Sequence, residues 1–251
     1  MFENFPTPVL FAHRGASAHA PENTLPAFEL ALQQGADGVE LDVKLTADGH
    51  VIVMHDPTVD RTTDGRGRVR DLTLADFRKL DAGSWHSEAY RGTQVPTLDE
   101  AFAAIGPRCV INVELTNYTT PRDALVEQVC ALVERHALQK RILFSSFFPA
   151  NLKKAAARLP SVPRGLLALG GWMGAWARSF GFMFGEYQAL HPHITDVNAP
   201  QVSRVHRLKR RIHVWTANSI EEVSRLKNWG VDGIFTDDPQ AAVRALGRGQ
   251  A

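Results

Sequence analysis

The chain has 251 residues, 44% of them hydrophobic and 22% charged, with 14 prolines and 19 glycines, values that exclude disordered, fibrous and collagen-like chains. Its 28 basic and 27 acidic residues leave a formal charge of +1, and that balance argues against a nucleic-acid binder, whose cations gather in excess on one face. A length near ~250 residues suits two small domains or one α/β barrel, and composition does not choose between them.

Apolar runs of strand length alternate with helical patterns. Residues 9–12 read as a strand, followed by a polar turn and a helix over 24–34 that Gly35 stops. Strands over 38–43 and 51–54 come next. The segment 56–96 is rich in Gly, Asp and Arg and holds one short helical pattern, 73–80. It follows a strand end directly, where barrel enzymes insert loops that shape their sites. It reads as a small capping insertion in a single domain spanning 1–251. A strand over 110–114 then leads to a helix at 122–135, and one over 141–144 to a helix at 151–158.

From Gly165 to Gly185 the one ionised side chain is Arg178, which meets the length criterion for a membrane span. Gly170 and Gly171 interrupt the run, and Met173, Trp176, Phe180 and Phe184 recur at helical spacing. A strand, a tight turn and an amphipathic helix therefore fit better than a span. A weak strand near 189–191 is followed by a basic cluster, Arg204 to Arg211, that reads as a solvated helix end. A strand over 212–215 precedes a helix over 219–229, opened by Ser219 and Glu222 at capping-box spacing. After a strand over 233–235, Asp238 and Pro239 open the last helix. Seven or eight strand–helix units in ~250 residues predict a closed TIM (β/α)8 barrel, with an open doubly wound sheet as the alternative.

The two cysteines, Cys109 and Cys130, form no C-x-x-C pair and read as buried, reduced thiols. The N-terminal residues lack the basic and apolar regions of a signal peptide. Both readings point to the cytoplasm.

Chemistry-bearing residues collect at strand ends. Glu40, Asp42 and Lys44 alternate along one strand and so share a face. With Glu114 from another strand, the two carboxylates would make an all-oxygen site for a hard divalent cation. Ion pairing with Arg14 and Lys44 is the plainer reading of the same acids. His13 and His55 each follow an apolar strand, and either alone reads equally as a satisfied rim histidine. Taken together they suit a phosphodiester, which needs a cation against growing oxygen charge, an acid for the leaving oxygen and a base for the nucleophile. Histidines exchange those roles near neutral pH, and Arg14 offers a planar fork for phosphate oxygens.

HRG (13–15), ENT (22–24) and GVELDVKLTADGHVIVMHD (38–56) resemble the signature of the glycerophosphodiester phosphodiesterases. DAGSW (81–85), NVEL (112–115), SSF (145–147), VWTAN (214–218) and GVDGIFTDDP (230–239) follow in that family's order. The whole is most similar to the family's bacterial cytoplasmic members. The resemblance implies a TIM barrel with an insertion after the strand ending at His55. It also implies hydrolysis of glycerophosphodiesters to sn-glycerol 3-phosphate and an alcohol, by way of attack of the glycerol 2-hydroxyl to form a cyclic phosphate. Glu40, Asp42 and Glu114 would hold one Mg²⁺ or Ca²⁺, His13 and His55 would be the acid/base pair, and Arg14 would hold phosphate. Trp215 and Phe147 are pocket-lining candidates, while Asp237 is read as a cap of the last helix rather than a substrate contact.

One departure concerns Thr116, where the family has lysine two residues after its third metal carboxylate. Lys44 is the residue expected to compensate as a phosphate ligand. Two other functions stay open. Hydrolysis of lysophospholipids, in the manner of a lysophospholipase D, is motivated by the aromatic stretch 172–184, which would hold an acyl chain or touch a bilayer if exposed. Non-catalytic binding of a phosphate ligand is motivated by Thr116 alone. The expected partner is a small-molecule substrate, with no nucleic acid.

Overall fold

The alternating pattern closes on itself. A computed structural model describes residues 5–248, so residues 1–4 and 249–251 of the expected 1–251 domain lie outside the described residues. The strands are β1 (Val9–His13), β2 (Gly38–Leu45), β3 (Val51–Val53), β4 (Val110–Leu115), β5 (Ile142–Ser146), β6 (Arg164–Ala168), β7 (Ala189–Pro192), β8 (Arg211–Val214) and β9 (Gly233–Thr236). Eight of them are parallel neighbours in the order β1-β9-β8-β7-β6-β5-β4-β2, and β2 pairs back to β1 to shut the ring. The architecture is the TIM barrel.

β3 is not one of the eight. It runs antiparallel to the far half of β2, Val43 opposite Val53 and Leu45 opposite Val51. Its run of β-branched residues looks like a barrel strand, but the short loop before it permits only a hairpin. The consequence is functional. β1 occupies the near half of that same edge of β2 and ends with His13 opposite Glu40. The return strand comes back along the edge as far as Met54, whose N–H donates to Asp42 O at 2.9 Å. The chain thus delivers His55 to the end of β1, beside His13.

The outer helices are α1 (Leu25–Gln33), α2 (Leu74–Phe77), α3 (Leu98–Ile105), α4 (Leu125–Arg135), α5 (Pro149–Arg158), α6 (Phe182–Phe184), α7 (Ala199–Arg207), α8 (Ile220–Trp229) and α9 (Pro239–Ala245). Capping explains several starts. Thr24 accepts from Ala27 N–H, Ser219 and Glu222 form the expected capping box, and Asp238 accepts from Ala241 N–H ahead of Pro239. The apolar faces of these helices and the outward faces of the strands form one large cluster. The insertion has its own cluster of Ile52, Met54, Val59, Val69, Phe77, Ala82 and Val95.

The barrel lumen is filled differently. Val9, Phe11, Val110, Leu143 and Phe235 form a small apolar plug. Against them, His191 and His213 lie with ring centroids 5.0 Å apart. Gly165 and Gly233 make the room, since a Cβ on either would fall within 2.7 Å of the facing imidazole. Charged and polar residues occupy the next layer toward the C-terminal ends of the strands, the face where barrel active sites form.

The segment after β6 departs from the predicted amphipathic helix. It forms a 3-10 turn at Gly171–Gly174, a π-helical turn at Ala177–Gly181 and the single turn of α6. Phe182 is the aromatic of this segment that packs into the core, whereas Trp172, Trp176, Phe180 and Phe184 are all exposed. A wide π turn shifts the helical register, and Gly181 brings the backbone against the Trp176 ring, so the 3.6-residue spacing no longer aims one stripe inward.

Candidate active site

Seven of the residues singled out in the sequence line one cavity of about 210 Å³: His13, Arg14, Glu40, His55, Glu114, Phe147 and Trp215. Asn112, Leu167, Leu169, His191 and Phe235 complete it. That volume is below the ~300–1,000 Å³ of pockets that bury drug-sized ligands, the scale of a small polar substrate.

Glu40, Asp42 and Glu114 meet because β2 and β4 are paired in register, Asp42 beside Glu114 and Glu40 beside Asn112. One oxygen from each carboxylate falls within 4.8 Å of the others. Glu40 Oε2 accepts from Arg14 N–H at 3.0 Å, while its Oε1 is buried with no hydrogen-bond partner. Asp42 Oδ2 accepts from Asn23 Nδ2 at 2.9 Å, and Glu114 Oε1 accepts from the Tyr118 hydroxyl at 2.9 Å. Burial, then the charge of Asp42, pushes Glu114 up to about 8. Burial with the charges of Asp42 and Glu114 likewise raises Glu40 well above the carboxylate range. Three carboxylates in so dry a space do not all ionise unaided. The unpartnered oxygen and the all-oxygen donor set fit a hard divalent cation.

Both histidines are held by carboxylates at Nδ1. His13 Nδ1 lies 2.7 Å from Asp237 Oδ1, and His55 Nδ1 lies 2.6 Å from Asp56 Oδ1. Burial pushes Asp56 up, but hydrogen bonds from Arg61 and His55 outweigh it and hold the carboxyl at about 2. Asp237 also stays below its ordinary range, desolvation being outweighed by His13, Asn218 and Ser17. An ionised carboxylate only accepts, so each ring donates from Nδ1 and leaves Nε2 as a base. His13 Nε2 is 4.0 Å from Glu40 Oε2, which aims it at the carboxylate cluster.

Arg14 takes a left-handed backbone conformation, φ 58°, and its guanidinium is braced from below. Nη1 donates to Glu22 Oε1 at 2.8 Å, and Nε is 3.3 Å from Asp42 Oδ2. Arg61 forks across Glu22 and Asp56. An alternating chain of charges, Arg14–Glu22–Arg61–Asp56, therefore ties the arginine that follows β1 to the histidine that follows the hairpin.

Trp215 donates Nε1–H to His191 O at 2.8 Å and meets Phe147 edge-on at 5.8 Å, so its indole forms a fixed wall of the cavity. Lys44 lies elsewhere. Its buried ammonium donates to Thr116 O at 2.8 Å and Thr116 Oγ1 at 2.9 Å, and it lines a neighbouring cavity with Arg68, Arg70 and Asn117. Thr116 turns its hydroxyl to Val43 O rather than toward Glu114. The strand is finishing at this point, and strict alternation no longer sets direction.

Asp237 corrects the sequence reading, since the helix cap is Asp238 and Asp237 is the partner of His13. The signal was present: Phe235 faces the lumen, so alternation sends residue 237 to the same side. The same argument from Glu114 would have found Asn112. Tyr118 and Arg61, placed by loops, carry no such periodic signal.

Residues 13–241 match the model of the glycerophosphoryl diester phosphodiesterase family. The chain belongs to this family. It is 36% identical over 242 residues to a glycerophosphodiester phosphodiesterase of Caldanaerobacter subterraneus subsp. tengcongensis, covering 96% of this chain and 98% of that one. A glycerophosphodiester phosphodiesterase of Bacillus subtilis is 34% identical, with 91% and 83% covered. Among solved structures, an Oleispira antarctica phosphodiesterase in complex with the product sn-glycerol-3-phosphate is similar at TM-score 0.88 and 34% identity, covering 96% of this chain and 97% of that one. The HRG, ELD, MHD and VEL strings of this sequence each place a residue on the cavity described above, through His13 and Arg14, Glu40, His55 and Glu114.

Proposed function

We propose that this chain hydrolyses glycerophosphodiesters to sn-glycerol 3-phosphate and the free alcohol, using His13 and His55 as its acid/base pair. The observation that carries this reading is the pairing of both imidazoles with carboxylates at Nδ1, beside a buried cluster of three acids. Similarity to enzymes named for this reaction, and to a structure holding its product, supports the same conclusion.

Glu40, Asp42 and Glu114 are the residues that would hold a divalent cation, Mg²⁺ or Ca²⁺ by donor type, and the cation would offset charge building on the phosphoryl oxygens. The protein's own groups do the rest. Arg14, already oriented by Glu22 and Asp42, presents its remaining donor edge to the phosphate. One histidine takes the nucleophile's proton at Nε2 and the other, entering the step protonated there, gives its Nε2 proton to the leaving oxygen, while the carboxylate at Nδ1 steadies whichever ring is the imidazolium. Trp215 and Phe147 wall one side of the cavity, against the glycerol or the alcohol of the substrate. Cys109 and Cys130 are both free and buried, which suits a reducing compartment, and we place the enzyme in the cytoplasm.

The test is release of glycerol 3-phosphate from glycerophosphocholine with Mg²⁺, with Ca²⁺ and after chelation, with Glu114→Ala alongside. Release that needs the metal and vanishes in the variant is expected. Equal release after chelation would remove the cation from the reaction, and no release under any condition would remove the substrate class.

A further inference from the structure

Past the C-terminal ends of β2 and β4 lies a second cavity, of about 290 Å³, that shares no lining residue with the reaction cavity. Its walls come from two sides. The barrel supplies Lys44, Thr116 and the loop after β4, while the insertion supplies Thr58, Arg68 and Arg70. A bridge between Thr58 and Arg68, with Val69 N–H donating to Pro57 O at 3.0 Å, holds the two segments of the insertion together. Val69 is buried between the two arginines and anchors them.

The charge on these walls is of one sign: three cations line the cavity and no acid does. Lys44 is only 9% exposed, and its ammonium gives two hydrogens to Thr116. Among the described residues the third hydrogen has no acceptor and no carboxylate forms an ion pair with Lys44. The acids whose charge reaches Lys44 are engaged elsewhere. Asp42 and Glu114 belong to the carboxylate cluster, Asp56 is held by His55 and Arg61, and Asp123 accepts from Asn117 and Thr120. Arg68 has no ion pair among the described residues, and Arg70 has only an exposed one, with Asp71 at 3.7 Å, of a kind that contributes little. Thr58 and Thr119 add side-chain hydroxyls without a hydrogen bond among the described residues.

A buried cation without a counter-charge is costly, and a recess walled by one sign of charge concentrates the opposite ion. We propose that this cavity is a second anion site that takes a phosphate monoester, held by Arg68 and Arg70 from the insertion and Lys44 from the barrel. Such a group carries about −1.5 to −2 charge and three acceptor oxygens, which match three cationic donors and two unengaged hydroxyls. The phosphate is that of a free monoester or of one carried on the leaving alcohol of a substrate. Lys44 follows Asp42 by two strand residues, about 7 Å, a span that a short alcohol bridges. The alcohol source rests on the phosphodiesterase reading, whereas the site does not.

Inorganic phosphate, titrated into the isolated protein while amide chemical shifts are followed, tests the site. Binding at roughly 1 mM or tighter is expected, with shifts at residues 58, 68–70 and 116–120. Arg68→Gln/Arg70→Gln keeps the apolar stems and should weaken that binding at least ~10-fold. Arg66→Gln, which removes an exposed arginine of the same segment outside the cavity, should change it less than about twofold. If the double variant does not fold, Arg68→Gln alone decides, with an expected loss of at least ~3-fold. Shifts confined to residues 13–14, 40, 55 and 114 put phosphate in the reaction cavity alone and overturn the proposal. Equal losses in Arg66→Gln reduce the effect to general surface charge and overturn it too.

Kinetics separate the two sources. The double variant should keep its kcat/KM on glycerophosphocholine within about twofold, and a larger fall there overturns the separation of the two cavities. A loss of ~10-fold or more on a glycerophosphodiester whose alcohol carries a phosphate assigns the site to the leaving alcohol. No loss on that substrate, with phosphate binding abolished, assigns it to a free monoester. Failure of the wild type to cleave either substrate, with phosphate binding intact, counts against the reaction and not against the site.

Discussion

Replacing Asp237 by asparagine keeps the shape of the side chain and changes only which atoms donate. The carboxylate accepts from His13 Nδ1 at 2.7 Å and Ser17 Oγ at 3.1 Å through Oδ1, and from Asn218 Nδ2 at 2.5 Å through Oδ2. An amide has one acceptor oxygen for these two directions. If that oxygen faces His13, the new NH₂ meets the NH₂ of Asn218. Asn218 resists flipping, because its Oδ1 already accepts from Asp237 N–H at 2.9 Å.

Turning the amide the other way satisfies Asn218 but points a donor at His13, forcing the imidazole proton onto Nε2. The base is then blocked. One frustrated hydrogen bond costs about 1–3 kcal/mol, and the lost carboxylate no longer steadies the imidazolium. Asp237 is 32% exposed, so solvent screens part of that second term. We expect kcat on glycerophosphocholine to fall about 10²–10³-fold in Asp237→Asn. Asp237→Ala should lose less, because it deletes the acceptor without imposing the wrong tautomer. Steady-state kinetics on both variants, with melting temperatures to confirm folding, make the comparison. Asparagine within threefold of wild type, or alanine worse than asparagine, would refute the orienting role.

Three further outcomes are expected. Lys44→Met should lower kcat/KM by about tenfold if the buried ammonium contributes to the field at the carboxylates, and steady-state kinetics showing no change would confine Lys44 to bracing Thr116. Gly15→Ala should cost about 3 kcal/mol or more in urea unfolding, since Gly15 sits at φ +86° with a Cβ only 2.7 Å from the Ala27 backbone; a loss below ~1 kcal/mol would show that the HRG turn relaxes. Burial depresses His213 to about 4 from an ordinary 6.5, so the unfolded chain takes up the proton first. The unfolding free energy should therefore fall as pH drops from 6.5 toward 4, by up to about 3 kcal/mol from this group. His213→Phe should flatten that slope, and an unchanged slope would remove His213 as its source.

The barrel was legible because its strands are buried on both faces and read as continuous apolar runs, with capped helices between them. The cavity was legible where alternation on β2 and β4 fixed direction, as at Glu40, Asp42 and Glu114. It failed where strands end. Asp237 reads as a cap because two adjacent aspartates compete for one helix start, and Thr116, just past the end of β4, closes its hydroxyl on Val43 O. The strand expected over 51–54 forms over Val51–Val53, but a short apolar run says nothing of direction, so its antiparallel return along β2 is not legible in the sequence. The helix expected over 173–184 failed for another reason: helical spacing of apolar residues is evidence of a stripe, not of what the stripe faces.

The hairpin separates the two histidines in a way that active-site geometry alone does not show. His13 ends a strand of the closed ring, whereas His55 follows the return strand of an appendage with its own small apolar cluster. Each rests on a different cooperative unit, and the smaller unit has far less buried surface to hold it closed. Amide exchange should accordingly find a partly open form in which residues 51–96 lose protection while β1, β4 and β5 keep theirs. In that form the carboxylate cluster and Arg14 stay assembled, one imidazole is gone, and catalysis stops without the barrel unfolding.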